Sequence, residues 1–295
     1  MEARRFALYF SWSRSKETAA DLGTLEGRFP ALFEFRRAIW PHYEHARAPV
    51  RFHQGMAGFL EHVILSDFQG FRSVIAEVTG HRPPVIDREA DGVLQPLDDA
   101  LLNQIGTLIV VSFDHFDTGQ RITPAESEAV QRFLRREKTC LIVCPHHDIG
   151  AGETLDERLV EFTHHGDPLV PAQQRIGGFA QAPLVALGWP ITNRYGLSPA
   201  RASDGSPAPL ESLPAADDLK VLQGVGTFNT HPHLPHLFVP SALSGQVRIL
   251  AWQLINPLAA RHPFVDAGNR YFNALLWIPP DATRAGHVFV CDGTL

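Results

Sequence analysis

"IGTLIVVSFDHFDTGQRITPAESEAVQRFLRREKTCLIVC", residues Ile105 to Cys144, decides the fold class. Ile105–Phe113 is a continuous apolar run, the pattern of a strand buried on both faces of a parallel sheet. A polar loop, Asp114–Ile122, follows it. Thr123 then stands where a helix needs its N-cap, Pro124 at the first helical position and Glu126 where a capping box closes. Ala129, Val130, Phe133 and Leu134 supply one apolar helix face. Thr139–Cys144 reads as the next buried strand. Strand, helix and strand of these lengths predict a right-handed βαβ crossover.

Outward from this unit, "RFALYFSW" (Arg5–Trp12) predicts a first strand. Residues 13–67 follow no strand period and contain two aromatic-rich helical stretches, Phe29–Ala46 and Gly55–Leu65; they read as a helical insertion or lid. Phe68–Gly80 predicts an amphipathic helix stopped by glycine, and Pro83–Asp87 a short strand. Beyond the unit, Thr154–Phe162 predicts a helix, and residues 171–211 a glycine- and proline-rich run of loop with one short helix. Val247–Gln253 and His287–Asp292 predict late strands; Asn269–Ile278 fits a helix or a strand. The simplest account is one α/β domain over residues 1–295, an open parallel sheet with helices on both faces.

Composition narrows the functional classes. With 295 residues, 44% hydrophobic and 20% charged, the chain has ordinary globular composition and ample length for a core. A formal charge of -6 and no basic stripe leave nucleic acid and anionic membrane without an electrostatic rationale. The apolar run near the N-terminus is too short and too soon interrupted for a signal peptide or a membrane span. Cys140, Cys144 and Cys291 make no disulfide framework. A reducing, cytoplasmic setting is therefore the expectation. Fifteen histidines, many paired, are the one unusual feature.

Ligands of open parallel sheets bind beyond the carboxyl ends of the strands. Both central strands run into polar groups there: Ser112, Asp114, His115 and Asp117 after one, Cys144, His146, His147 and Asp148 after its neighbour. The bland alternative is that these are ordinary loop residues. The order of elements over Ile105–Gly152, with "TPAE" (Thr123–Glu126) and "LIVC" (Leu141–Cys144) in place, resembles the class I glutamine amidotransferase-like superfamily, its trehalose-utilisation-like branch in particular. That resemblance implies a flavodoxin-like sheet and puts Cys144 at the nucleophile position. The family's elbow carries glycines around its cysteine, as G-x-C-x-G; here Val143 precedes and Pro145 follows. Proline has no N–H to offer an oxyanion, so the resemblance implies a degenerate elbow.

The histidines supply a second reading. "PHHD" offers His146, His147 and Asp148; "THHGD" adds His164 and His165; "FNTHPHLPH" adds His231 and His233, which share a face in an extended segment. Mixed histidine and carboxylate ligation suits zinc, iron or manganese, and such an ion activates water. Each pair could equally be a helix-end or loop histidine making a local hydrogen bond. Arg175, beside two glycines, and Arg194 are candidates to hold a substrate carboxylate, or else surface ion-pair partners. "GVGTF" (Gly224–Phe228) lacks the strand and helix of a dinucleotide fingerprint, so no nucleotide cofactor is expected. The leading expectation is a hydrolytic or acid–base enzyme acting on a small polar molecule, with His146, His147, Asp148, Cys144, Asp114 and His115 as its catalytic groups. A divalent metal would be held by His146, Asp148, His164, His165, His231 and His233. The alternatives are a non-catalytic binder of a small ligand and a hydrolase using Cys144 as nucleophile. The chain could also form a homo-oligomer.

Overall fold

A computed structural model describes residues 5–14, 16, 66–146, 154–166, 176–227 and 233–292. Its elements are β1 (Phe6–Ser13), α1 (Ser66–Thr79), β2 (Val85–Ala90), β3 (Val93–Leu94), α2 (Asp99–Leu102), β4 (Thr107–Val111), α3 (Pro124–Arg135) and β5 (Cys140–Cys144). They continue with α4 (Leu155–His165), α5 (Gln181–Ala186), β6 (Thr192–Leu197), β7 (Glu211–Ser212), β8 (Leu234–Phe238), β9 (Arg248–Leu254), α6 (Pro263–Asp266), β10 (Tyr271–Ile278) and β11 (His287–Val290). Most of the 13–67 insertion lies outside the described residues.

Nine strands form one sheet in the order β3-β2-β1-β4-β5-β11-β10-β9-β7, and β6 pairs β8 in a second, two-stranded sheet. β2, β1, β4, β5 and β11 are parallel. The β4–α3–β5 unit is the predicted crossover. Thr123 caps α3, its side chain accepting from the Glu126 N–H while the Glu126 carboxylate returns to the Thr123 N–H.

The sheet differs from the expectation of an all-parallel one: β10 runs antiparallel to β11, β9 to β10 and β7 to β9. The connection between β10 and β11, residues 279–286, explains why. A parallel crossover needs about a dozen residues or more, and a shorter link can only turn the chain back. The Asn269–Ile278 stretch is accordingly strand, not helix. β6 and β8, within stretches that read as loop, were not expected at all.

Alternation along the strands builds two cores. Ala7, Tyr9, Leu108, Val110, Leu141 and Val143 face the layer containing α3, the loop at Phe179 and Leu184 of α5. Leu8, Phe10, Trp12, Ile109, Val111 and Cys144 face the opposite layer, where Phe68 of α1 packs. Helices therefore cover both faces.

On the first face a buried ion pair joins four segments. Arg88 at the end of β2 and Glu126 in the first turn of α3 are 2% and 3% exposed. Arg88 donates to both Glu126 oxygens at 2.5 and 3.2 Å, to the Tyr9 hydroxyl at 2.9 Å, to the Arg121 carbonyl at 2.7 Å and to Gln120 at 3.0 Å. Glu126 also accepts the Leu97 N–H at 3.0 Å, and the Tyr9 hydroxyl donates to the Gln95 carbonyl at 2.6 Å. Burial pushes the Glu126 carboxyl up, but the Arg88 guanidinium and the Thr123 and Leu97 amides outweigh it, and the net shift is downward. Burial likewise works against the Arg88 cation, and Glu126 and Tyr9 reverse that.

Removing one partner of such a pair strands a buried charge, at a cost of about 3–5 kcal/mol. Glu126→Ala should show a loss of that size by urea denaturation, and Glu126→Gln, which keeps a capping acceptor, a smaller one. A Glu126→Ala loss below about 1 kcal/mol would show that the pair does not hold this corner together.

Candidate functional site

The parallel strands start nearly level, Phe6 beside Thr107, Thr107 beside Cys140 and Cys140 beside His287. Their carboxyl ends therefore reach one edge, where Ser11–Ser13, Ser112–His115, Pro145–His146 and Cys291–Asp292 leave the sheet. Side-chain alternation sorts these residues onto the two faces.

Ser11, Ser112 and Asp114 take the first face. Asp114, 1% exposed, accepts the Ser11 hydroxyl proton at 2.6 Å. The segment Ile176–Ala180 lies over them: His115 bridges Ile176, the Gly177 N–H donates to the Asp114 carbonyl at 2.6 Å, and the Ala180 N–H donates to the Ser112 hydroxyl at 2.8 Å. Phe179 then stacks on Tyr9 with centroids 6.1 Å apart and beneath the Arg88 guanidinium at 4.3 Å. The approach of this segment is close enough to require glycine, because a Cβ at position 177 would stand 1.7 Å from Asp114 Oδ2.

Cys144 and His146 take the other face. Cys144, 2% exposed, has its sulfur 3.4 Å from that of Cys291. The Cys291 thiol beside it, then burial, push the Cys144 thiol up, away from the thiolate that a nucleophile needs. His146 lies with its ring 6.2 Å from that of Phe113. The Pro145 carbonyl accepts from the Asn193 amide at 2.7 Å, tying β6 to the end of β5.

The remaining expected site residues divide. His147, Asp148, Arg175 and His231 lie outside the described residues, as does the side chain of His165. His233 is half-buried just before β8. Arg194, on exposed β6, lays its guanidinium over the Phe238 ring at 3.5 Å and faces His236 across the β6–β8 pair. His164, buried on α4, hydrogen-bonds through Nδ1 to the Ala260 carbonyl at 2.6 Å, and its ring is 5.1 Å from that of His262. Among the described residues no group of three or more histidines, cysteines or carboxylates is placed to hold a metal ion. No helix among them is long and apolar enough to cross a membrane.

His164 opens a cluster that the sequence motifs do not single out. His262 meets Tyr195 at 5.1 Å, Tyr195 meets Phe264 at 5.4 Å, and Phe264 meets His236 at 4.8 Å. His262 and His236 are both acceptors at Nδ1, His262 for the Phe264 N–H at 3.1 Å and His236 for the Asn273 N–H at 3.2 Å. His262 thereby caps α6. The available signal was "RHPF" (Arg261–Phe264), a polar residue followed by proline at a helix start.

No protein-family model matches the chain, and no curated protein matches it. A solved structure described as the mmIFT52 N-terminal domain is similar at 10% identity and a TM-score of 0.34, over 75% of this chain and 78% of that one. A likeness at that level says nothing of function.

Two outcomes test this edge. Gly177→Ala should cost about 1–3 kcal/mol in urea denaturation, because the segment over Asp114 must lift or Asp114 must move; unchanged stability would mean that the contact yields freely. The second concerns pH. Burial, with the Arg194 cation adding to it, holds His236 down to about 4, and burial with the His164 charge holds His262 to about 4 against the opposing pull of Asp266. Both are neutral acceptors in the fold, yet protonate near 6.5 once unfolded. The unfolded chain therefore binds more protons between these values, and stability falls as pH drops from about 6.5 to about 4. His262→Asn keeps a capping acceptor without the titration. Its denaturation midpoint should change less with pH across that window than the wild type's; an equal change would remove His262 from the effect.

Proposed function

We propose that the chain is an enzyme of the class I glutamine amidotransferase-like kind, trehalose-utilisation-like in its branch and flavodoxin-like in its sheet. Its strand-end site is rebuilt from histidine and aspartate, and it performs hydrolytic or related acid–base chemistry on a small polar molecule. The observation that supports this reading is strand order. Counted in chain order, the parallel strands β2-β1-β4-β5-β11 stand as 2-1-3-4-5, with the order reversing between β1 and β4. In open α/β sheets the crevice outside that reversal is where ligands bind. Ser11, Ser112, Asp114 and His115 leave the sheet at that point, and His146 leaves the next strand along.

In this reading His146 moves the proton, with His147 and Asp148 following it in the chain, and Arg175 or Arg194 orients an anionic group of the substrate. Cys144 supports the turn and does not attack, since its sulfur packs on Cys291 away from solvent. The described residues assemble no ligand set for zinc, iron or manganese, so no step here runs through a metal. A second reading, a non-catalytic protein that binds a small ligand at the same edge, draws support from the first face. There Ser11, Ser112 and Asp114 already hold one another and the Ile176–Ala180 segment.

The test pairs elemental analysis of tag-free protein, before and after chelation, with a hydrolysis screen of small amides and esters on wild type and His146→Ala. The enzyme reading expects turnover that disappears in His146→Ala while the fold is retained. Full activity in that variant would remove His146 from the chemistry. Stoichiometric ligand binding without turnover would favour the second reading, and near-stoichiometric metal lost in the variant would restore metal-assisted chemistry.

A further inference from the structure

The Cys144–Cys291 contact has no part in the chemistry above. β5 and β11 are parallel neighbours in register, with Val143 beside Val290. One residue further on, Cys144 and Cys291 are therefore side by side on adjacent strands and point to the same face, the Cys291 N–H donating to the Val143 carbonyl at 3.1 Å. Both thiols are reduced in this structure, both belong to the same apolar cluster, and their sulfurs are 3.4 Å apart. Bonded sulfurs stand about 2.05 Å apart, so closure asks for an approach of about 1.4 Å.

We propose that Cys144 and Cys291 form an oxidisable dithiol that closes reversibly to an intrachain disulfide under a peroxide. One sulfur attacks the peroxide, the O–O bond breaks, and a sulfenic acid and one water result. The second sulfur attacks the sulfenic sulfur, an S–S bond forms, and the hydroxyl leaves with the remaining thiol proton as a second water. Two thiols and one hydrogen peroxide thus give one disulfide and two waters.

The pairing is selective by placement. Cys140 begins β5, at the amino end, where its in-register neighbours are Thr107 and His287 rather than a thiol. Closure joins residues 147 positions apart in the chain. It ties the last strand of the sheet directly to β5, at the edge where His146 leaves. A bond imposed between directly adjacent strands departs from relaxed disulfide geometry, and strained disulfides are the readily reduced kind.

The full chain, treated with hydrogen peroxide under native conditions and mapped by mass spectrometry without reduction, tests this. The expected result is a single cross-linked peptide pair containing Cys144 and Cys291, a fall from three free thiols to one, and full reversal by dithiothreitol. The thermal midpoint of the oxidised chain should rise. Cys140→Ser should give the same cross-link, and Cys291→Ser should give none. Three thiols persisting at a peroxide level that oxidises free cysteine, a cross-link that includes Cys140, or one that forms only in denaturant would each overturn the proposal. The wild-type map alone separates these outcomes, so a variant that fails to fold leaves the test intact.

Discussion

The buried pair of Arg88 and Glu126 is the constraint on which the sheet's first face depends. Two ions removed from water are tolerable only when each remaining lone pair and proton finds a partner. Here the required partners come from different elements: Tyr9 of β1, the Arg121 carbonyl and Gln120 from the loop before α3, the Leu97 amide and the Thr123 cap. None of these segments can move independently without leaving a charge unmet. The pair thus acts as a register pin for β1, β2 and α3. The same guanidinium covers Phe179, so its influence extends into the segment that crosses the strand ends.

That extension bears on function. Phe179 follows Gly177 and Gly178 and precedes Ala180, whose N–H holds Ser112. The polar groups at the ends of β1 and β4 are therefore ordered from behind by a packed aromatic ring, and from above by a backbone that only glycine lets so close. The sheet itself keeps Cys144 and His146 apart from Asp114, because side chains two positions apart share a face and those one apart do not. Residues that lie in one short stretch of sequence, or at the ends of adjacent strands, consequently belong to two compartments. Acid–base chemistry at this edge must be drawn from one of them, or from a ligand that reaches over the strand ends.

The legible part of the sequence was the part where local rules and tertiary demands agree. The β4–α3–β5 unit announces itself twice, by apolar runs and by a capped helix start, and Glu126 shows its capping role in "TPAE". Its second role does not show, because nothing in "VIDREA" (Val85–Ala90) marks Arg88 as buried. β6 was hidden by its own irregularity: Tyr195 has φ of 63° and the pairing with β8 slips between Arg194 and Leu197. β8 contains a proline, which argues against a strand unless it is an edge. The histidine clusters misdirected attention in a physical sense, since proximity in the chain decides little. His164 finds its partners at Ala260 and His262, about a hundred positions away.

The position after Cys144 shows how a resemblance and a departure from it can share one cause. An elbow nucleophile needs a strained turn, an exposed side chain and a following N–H aimed at an oxyanion. Pro145 can supply no N–H, and Cys144 is turned inward against Cys291. What the proline does supply is a carbonyl, and Asn193 donates to it. Asn193 belongs to β6, whose partner β8 leans on β10 through the hydrogen bonds of Asn273 to His236 and Leu237. The end of β5 thus serves as the anchor of the two-stranded sheet, a role that requires a fixed backbone and a satisfied carbonyl. A turn held in that way has little freedom to act as an elbow, so the chemistry of this edge, where there is any, begins one residue later at His146.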